Sequence, residues 1–402
     1  MKNLKDLDVK NKTILMRCDF NVPVEDGKVV DDYRITQVMP TIKDLIDRGA
    51  KVVLMSHMGR PNSQKRLKKS FFGRIKNLLF KKEDRFSLKP VHKELEKHLD
   101  KVGFVDDCIS EKAKKNIKAL NSGEVLLLEN LRYYIDEEEG EAEFAKRLTQ
   151  FADIYVNDAF SASHRDHASV FEVAKRMDSY PGYLFEREVK FLTRVKENPD
   201  KPLVVIVGGA KVKSKAKTIK EFMDKADHVL VGGKVANAIL AIKGITDKEP
   251  PAPDVVEELE EIDLTSSKLH LPVDVRVSSD FDEYVRSAGV GQVRSEENIF
   301  DIGPETIDVY GEIIREASTI VWAGPLGFFE HKKFEDGTKL VGGKVIENGS
   351  ALKIIGGGDT GSALNKFNLR EGMDHVSLGG GAMLTFVSGK EMPGLEVLKK
   401  EK

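Results

Sequence analysis

Leu352-Lys353-Ile354-Ile355-Gly356-Gly357-Gly358-Asp359-Thr360-Gly361 reads as a short buried strand that runs into a glycine nest and opens a helix. Glycine permits the tight turn and leaves bare amides, which at a helix start attract anions. The same unit recurs along the chain. In the C-terminal half, Leu203 to Val207 ends in Gly208-Gly209-Ala210-Lys211, and His228 to Val231 ends in Gly232-Gly233-Lys234. Thr319 to Trp322 ends in Ala323-Gly324-Pro325-Leu326-Gly327, and His375 to Leu378 in Gly379-Gly380-Gly381-Ala382. In the N-terminal half the strands are Thr13 to Met16, Lys51 to Met55, Val125 to Leu128 and Ile154 to Val156. They run into Arg17-Cys18-Asp19-Phe20-Asn21-Val22-Pro23, Ser56-His57-Met58-Gly59-Arg60-Pro61, Glu129-Asn130-Leu131-Arg132, and Asn157 through His167. Nearly every strand is followed by a helical period. This βαβ rhythm predicts an α/β fold of two doubly wound, parallel-sheet (Rossmann-like) domains, with ligand loops at the strand C-termini.

At 402 residues the chain is too long for one core, so two domains are expected. The break falls between Pro181-Gly182 and Asn198-Pro199, and residues 184–198 read as a stiff connecting helix. A net charge of −2 excludes a global nucleic-acid signal. No run of apolar residues is long enough for a membrane span, and the first residues lack a signal-peptide core. The two cysteines, Cys18 and Cys108, lack CxxC spacing, which fits a reducing, cytoplasmic setting.

The halves offer complementary chemistry. Arg17, Arg34, Arg60, Arg132 and Arg165, with His57, His164 and His167, follow separate strands or turns and suit a compact phosphorylated carboxylic acid. Guanidinium forks bind phosphate and carboxylate bidentately and stay charged. Asp19 and Asn21 would grip a hydroxyl. His164-Arg165-Asp166-His167 lacks the i, i+4 spacing of a zinc pair. In the other half, Gly356 to Gly361 formally satisfies G-x-G-x-x-G, yet the next strand ends in more glycine rather than the acid that holds a nicotinamide ribose. Walker A is absent. Asp359 reads as a Mg²⁺ ligand or a helix N-cap. Lys211 and Lys215 sit i, i+4 at a helix start, either toward a transferring phosphoryl group or on a solvated face. Pro325 and Leu326 could floor an adenine, and Glu330 could accept a ribose hydroxyl.

RxDFNVP, SHxGRP, ENLR, NDAF…HRxHAS, GGAKV, GPxGxFE, GGGDT and GGGA stand in the order and approximate spacing of phosphoglycerate kinases, and from about Val9 onward the chain closely resembles that family. The resemblance implies reversible, Mg²⁺-dependent phosphoryl transfer between 1,3-bisphosphoglycerate and ADP, giving 3-phosphoglycerate and ATP, in line and in a closed interdomain cleft. It implies a phosphoglycerate-binding domain over 1–183 completed by the tail 390–402, a hinge helix over 184–198, and a nucleotide domain over 199–389. Asp19, Asn21, Arg34, His57, Arg60, Arg132, His164 and Arg165 would hold the three-carbon acid. Gly208, Lys211, Lys215, Gly233, Pro325, Glu330, Gly357, Gly358 and Thr360 would hold ATP or ADP, and Asp359 the metal. Arg34, Lys211 and the Gly380 amide would neutralise charge during transfer. A cytoplasmic monomer is expected.

Two positions depart from the family pattern: Ala323 stands for an asparagine before GP, and Lys234 for a glycine. The basic stretch 62–86 exceeds the usual loop and reads as an amphipathic helix, which could lie on an anionic membrane or dock a partner, or pack its apolar face on the first domain while its lysines steer anionic substrate. A nicotinamide oxidoreductase would lack its ribose acid. A non-catalytic phosphoglycerate sensor would have little use for Lys211, Lys215 and Asp359 together.

Overall fold

The structure, a computed structural model, describes residues 1–61, 84–281 and 284–399. The expected helix over 62–86 lies outside these residues except for a 3₁₀ turn at Asp84–Phe86. Two compact units are present: 1–190 together with 390–402, and 191–389.

The first unit is built on a six-stranded parallel sheet, ordered Val102–Val105, Val125–Leu128, Lys51–Met55, Thr13–Arg17, Ile154–Asn157, Asp178–Pro181. Its central strands are apolar through their middles, as in Ile14–Met16 and Val52–Met55, because helices cover both faces of such a sheet. Strand order reverses between Thr13–Arg17 and Ile154–Asn157, which opens a crevice beyond their C-terminal ends. The loops leaving these two strands carry Asp19, Asn21, His164 and Arg165. Helix Tyr33–Asp47 brings in Arg34. The tail helix Pro393–Lys399 also belongs to this unit: Gly394 N donates to Ser163 O at 3.0 Å, and a Cβ at Gly394 would stand 2.6 Å from Val170.

The second unit repeats the plan. Its parallel sheet is ordered Leu269–His270, His228–Val231, Leu203–Val207, Thr319–Ala323, Leu352–Gly356, His375–Ser377. The reversal falls between Leu203–Val207 and Thr319–Ala323, whose exits are Gly208 to Lys211 and Gly324 to Gly327. A three-stranded antiparallel sheet, with Asp274–Ser278 between Val285–Gly289 and Asn298–Ile302, is added.

Helix Tyr183–Glu197 joins the units in sequence. Its start is held by buried Asp158, whose Oδ1 accepts the Phe185 amide at 2.9 Å. Burial pushes that carboxyl up to about 6, against hydrogen bonds from Thr41 and the Phe185 and Leu184 amides.

Candidate active site

In the first unit, Asp19 gathers several of the expected site residues. It accepts from Arg34 Nη1 and Ser161 Oγ, and its Oδ1 takes the Asn21 amide at 3.1 Å. Burial alone would raise this carboxyl, but Arg34, His57 and the Ser161 hydroxyl outweigh it and hold it well below the carboxylate range. Asn21 Oδ1 accepts the Gly59 amide at 2.8 Å, and Arg132 Nη1 donates to Gly59 O at 2.8 Å, so the two loops are stitched together.

Beneath them lies a buried chain that no motif reveals. Arg17, fully enclosed, donates through Nε to Ser169 Oγ at 2.9 Å and contacts His57 Nδ1 through Nη2 at 3.2 Å. Ser169 Oγ in turn donates to Glu137 Oε1 at 2.6 Å. Because a guanidinium only donates, His57 Nδ1 must accept, leaving its proton on Nε2.

The cations outnumber their partners. Burial, with Arg165 and Arg17 nearby, lowers Arg132 to about 10, with Glu138 opposing. Arg132 Nη2 is buried without a hydrogen-bond partner among the described residues. Burial and Arg165 bring His164 down to about 4, and burial and Arg132 bring His167 down to about 3. Burial also depresses His57 despite Asp19. Arg165, half-buried, donates to His164 Nε2 at 3.2 Å and has its own pKa lowered by burial and then by Arg60. A desolvated cluster of like charges beside depressed imidazoles has the chemistry to hold an anion.

In the second unit the glycine loops press on one another. A Cβ at Gly208 would sit 2.1 Å from Pro325 O, and one at Gly324, whose φ is +107°, would sit 2.1 Å from Gly208 O. Gly357 has φ +108°, and a Cβ on Gly380 would lie 2.6 Å from its Cα. The glycines therefore serve backbone approach as well as bare amides. Thr360 is similarly occupied: its hydroxyl accepts the Gly324 amide at 2.8 Å and donates to Gly356 O at 3.1 Å, tying two loops together.

Lys211 and Lys215 part company. Lys211 is exposed, whereas Lys215 turns inward and donates to Ala323 O at 3.0 Å. Burial lowers Lys215 to about 8, opposed by Asp359. Asp359 lies within the first turn of helix Gly358–Lys366; the N-cap position falls on Gly357.

Beside these loops is a cavity of about 370 Å³, bordered by Gly209, Gly233, Pro325, Leu326, Glu330 and Asp359. Lys234 also borders it. Its far wall was not foreseen: Phe281, Phe300 and Phe328 come together, with Phe281 5.1 Å from Phe300 and 5.3 Å from Phe328 between ring centroids. Asn298–Ile302 supplies part of that wall together with Asp301, whose carboxyl burial raises to about 8 despite amides from Gly337 at 2.7 Å and Ile302 at 2.9 Å. Alternation in Asp274–Ser278 was the available signal for this sheet. Gly208, Gly357 and Gly358 adjoin the loops but do not border the cavity.

An apolar cavity next to glycine-lined helix starts fits a nucleoside with a phosphate tail. The phosphoglycerate kinase family model matches residues 4–390. The chain belongs to the phosphoglycerate kinase family. A phosphoglycerate kinase of Clostridium botulinum (strain 657 / Type Ba4) is 39% identical over 415 aligned residues, covering 99% of this chain and 98% of that one. Among solved structures, phosphoglycerate kinase from Coxiella burnetii superposes with a TM-score of 0.80 at 37% identity, covering 98% of both chains. The Pyrococcus horikoshii OT3 enzyme superposes with a TM-score of 0.85 at 32% identity, covering 99% of this chain and 98% of that one. The chain is accordingly a transferase with the glycolytic activity of the family, and its substrates are ATP/ADP and phosphoglycerate. No helix among the described residues is long and apolar enough to cross a membrane.

Proposed function

We propose that the first unit holds the phosphoglycerate and the second the nucleotide. The observation that carries this is the desolvated, cation-rich cluster around Arg132 and Arg165 in one unit, only partly balanced by Glu138, set against the aromatic and glycine-walled cavity in the other. Asp19, Asn21, Arg34, His57, Arg60, Arg132, His164 and Arg165 bind the three-carbon acid. Gly208, Gly233, Pro325, Glu330, Gly357 and Gly358 shape the nucleotide site, with Thr360 and Lys215 bracing its loops. Cys18 and Cys108, both buried and neither joined in a disulfide, suit a cytoplasmic enzyme.

The donor set near Asp359 suits Mg²⁺: one carboxylate beside open backbone at Gly358 and Gly361, where phosphate oxygens would complete the shell. When bound, the ion would supply charge screening on the phosphates. An acyl phosphate is a good donor and a phosphate oxygen a ready acceptor, so no strong base is needed. The protein's task is alignment and neutralisation of the equatorial oxygens. Arg34 and Lys211 carry that charge, with the Gly380 amide at a helix start beside Gly357.

Replacing Asp359 by alanine should weaken MgADP binding while leaving 3-phosphoglycerate affinity nearly intact. Calorimetry with each ligand separately tests this division, and equal losses for both would reject it.

The depressed imidazoles give a proton signature. A bound anion stabilises the charged form, so the pKa values of His164 and His167 should rise from about 4 and about 3 toward ordinary values. Binding of 3-phosphoglycerate at roughly pH 5 should then take up protons, and at roughly pH 8 should not. Calorimetry in buffers of different ionisation heat measures the uptake. Proton release at the lower pH would contradict the anion-site assignment.

A further inference from the structure

Outside both sites, one group among the described residues brings two carboxylates and an imidazole together: Asp32, Glu94 and His98, whose ligand atoms all lie within 4.8 Å of one another. Glu94 and His98 are four residues apart where helix Lys89–Leu95 runs out, which places them on one face. Asp32 enters from the N-cap of helix Tyr33–Asp47, where its side chain makes no capping bond. His98 Nε2 stands 3.7 Å from Asp32 Oδ2 and 4.0 Å from Glu94 Oε1.

Two details separate this group from an ordinary acidic patch. Glu94 is buried, and its other oxygen, Oε2, is already taken by Lys97 Nζ at 2.7 Å, leaving Oε1 toward His98. The Nε2 atom of His98 is itself shut off from solvent and has no hydrogen-bond partner among the described residues. A buried ring nitrogen facing two carboxylate oxygens without a hydrogen bond is a costly arrangement unless something occupies the space between them.

We propose that Asp32, Glu94 and His98 form a binding site for a borderline divalent cation of the Zn²⁺ class. Imidazole with carboxylates suits zinc rather than magnesium, which prefers oxygen alone. Metal–ligand bonds of about 2.0–2.1 Å put tetrahedral ligands about 3.3 Å apart, so the three atoms need to close by less than about 1.5 Å. Occupancy would pin Asp32, two residues before Arg34 and at the head of the same helix. The imidazole pair of His228 and His270, 2.9 Å apart, has no third ligand in reach among the described residues.

Co²⁺ is the probe. Full-length protein in metal-free buffer should take up one equivalent with a visible ligand-field band. His98→Gln and Asp32→Asn should each weaken it by at least about tenfold. His228→Gln should leave binding unchanged. Turnover of His98→Gln without Co²⁺ should equal wild type, which verifies folding. Wild-type protein without a band, binding unaffected by both substitutions, or binding lost in His228→Gln instead would overturn the site and leave His98 as a simple ion-pair partner of its neighbours.

Discussion

Replacing Arg34 by alanine is expected to lower kcat by about 10²-fold or more while changing MgADP affinity little. Arg34 pairs with Asp19, which also takes the Ser161 hydroxyl and the Asn21 amide, so the guanidinium is held at the rim of the cation cluster. A positively charged group so held acts mainly where negative charge is redistributed in the transition state. If Arg34 only braced Asp19, its loss would raise KM for 3-phosphoglycerate and leave kcat nearly intact. Arg34→Lys keeps the charge and loses the fork, so it should recover part of the rate. Steady-state kinetics on both variants decide, and turnover within a few-fold of wild type in the alanine variant would reject the role.

Gly324→Ala should abolish measurable nucleotide binding and destabilise the second unit. At φ +107° a side chain is strained, costing about 1–3 kcal/mol. The new Cβ would also sit 2.1 Å from Gly208 O, and relieving that overlap adds about 1–3 kcal/mol. Gly208 cannot yield freely, because a shift there disturbs Pro325 and the neighbouring Ala323 carbonyl that accepts Lys215. Trp322, the single tryptophan, donates through its indole N–H to Gly324 O at 2.8 Å, so its fluorescence reports on this loop directly. The expected result is an altered Trp322 spectrum, an earlier denaturant midpoint and no nucleotide-induced signal. Gly343→Ala, in a helix with nothing within 4 Å of the new Cβ, is the control and should be neutral or slightly stabilising. Equal behaviour of the two variants would mean that the crossing of the loops is unimportant.

Strands such as Leu203–Val207 and Val125–Leu128 were legible because a central parallel strand is apolar at every position and ends abruptly in glycine or charge. Edge strands were not. Val102–Val105 contains Gly103 and is half exposed, and Asp178–Pro181 ends in a proline that reads as a turn. The antiparallel sheet escaped for another reason: Asn298–Ile302 is exposed at its start and buried on both faces at its end, so it shows no alternation, and Phe300 and Asp301 went unseen with it. The proposed anion-binding side chains were visible because most of these arginines stand at or just beyond a strand end or turn. The Glu137–Ser169–Arg17–His57 chain was invisible because its members lie far apart in sequence and meet only through packing. Lys211 and Lys215 show the limit of spacing arguments. Four residues on a helix put both on one side, but only burial decides which amine is desolvated.

The return of Pro393–Lys399 to the first unit has a consequence for biosynthesis. The ribosome must add the 199 residues from Phe191 to Gly389 before the closing helix exists. At about 5–20 residues per second, that is a delay of roughly 10–40 s. Throughout it, the nascent first unit presents bare the groove by Ser163 and Val170 where Gly394 later docks, and the apolar Leu395 and Leu398 have yet to be made. A holding chaperone that recognises short apolar segments would find its substrate here during synthesis rather than after it.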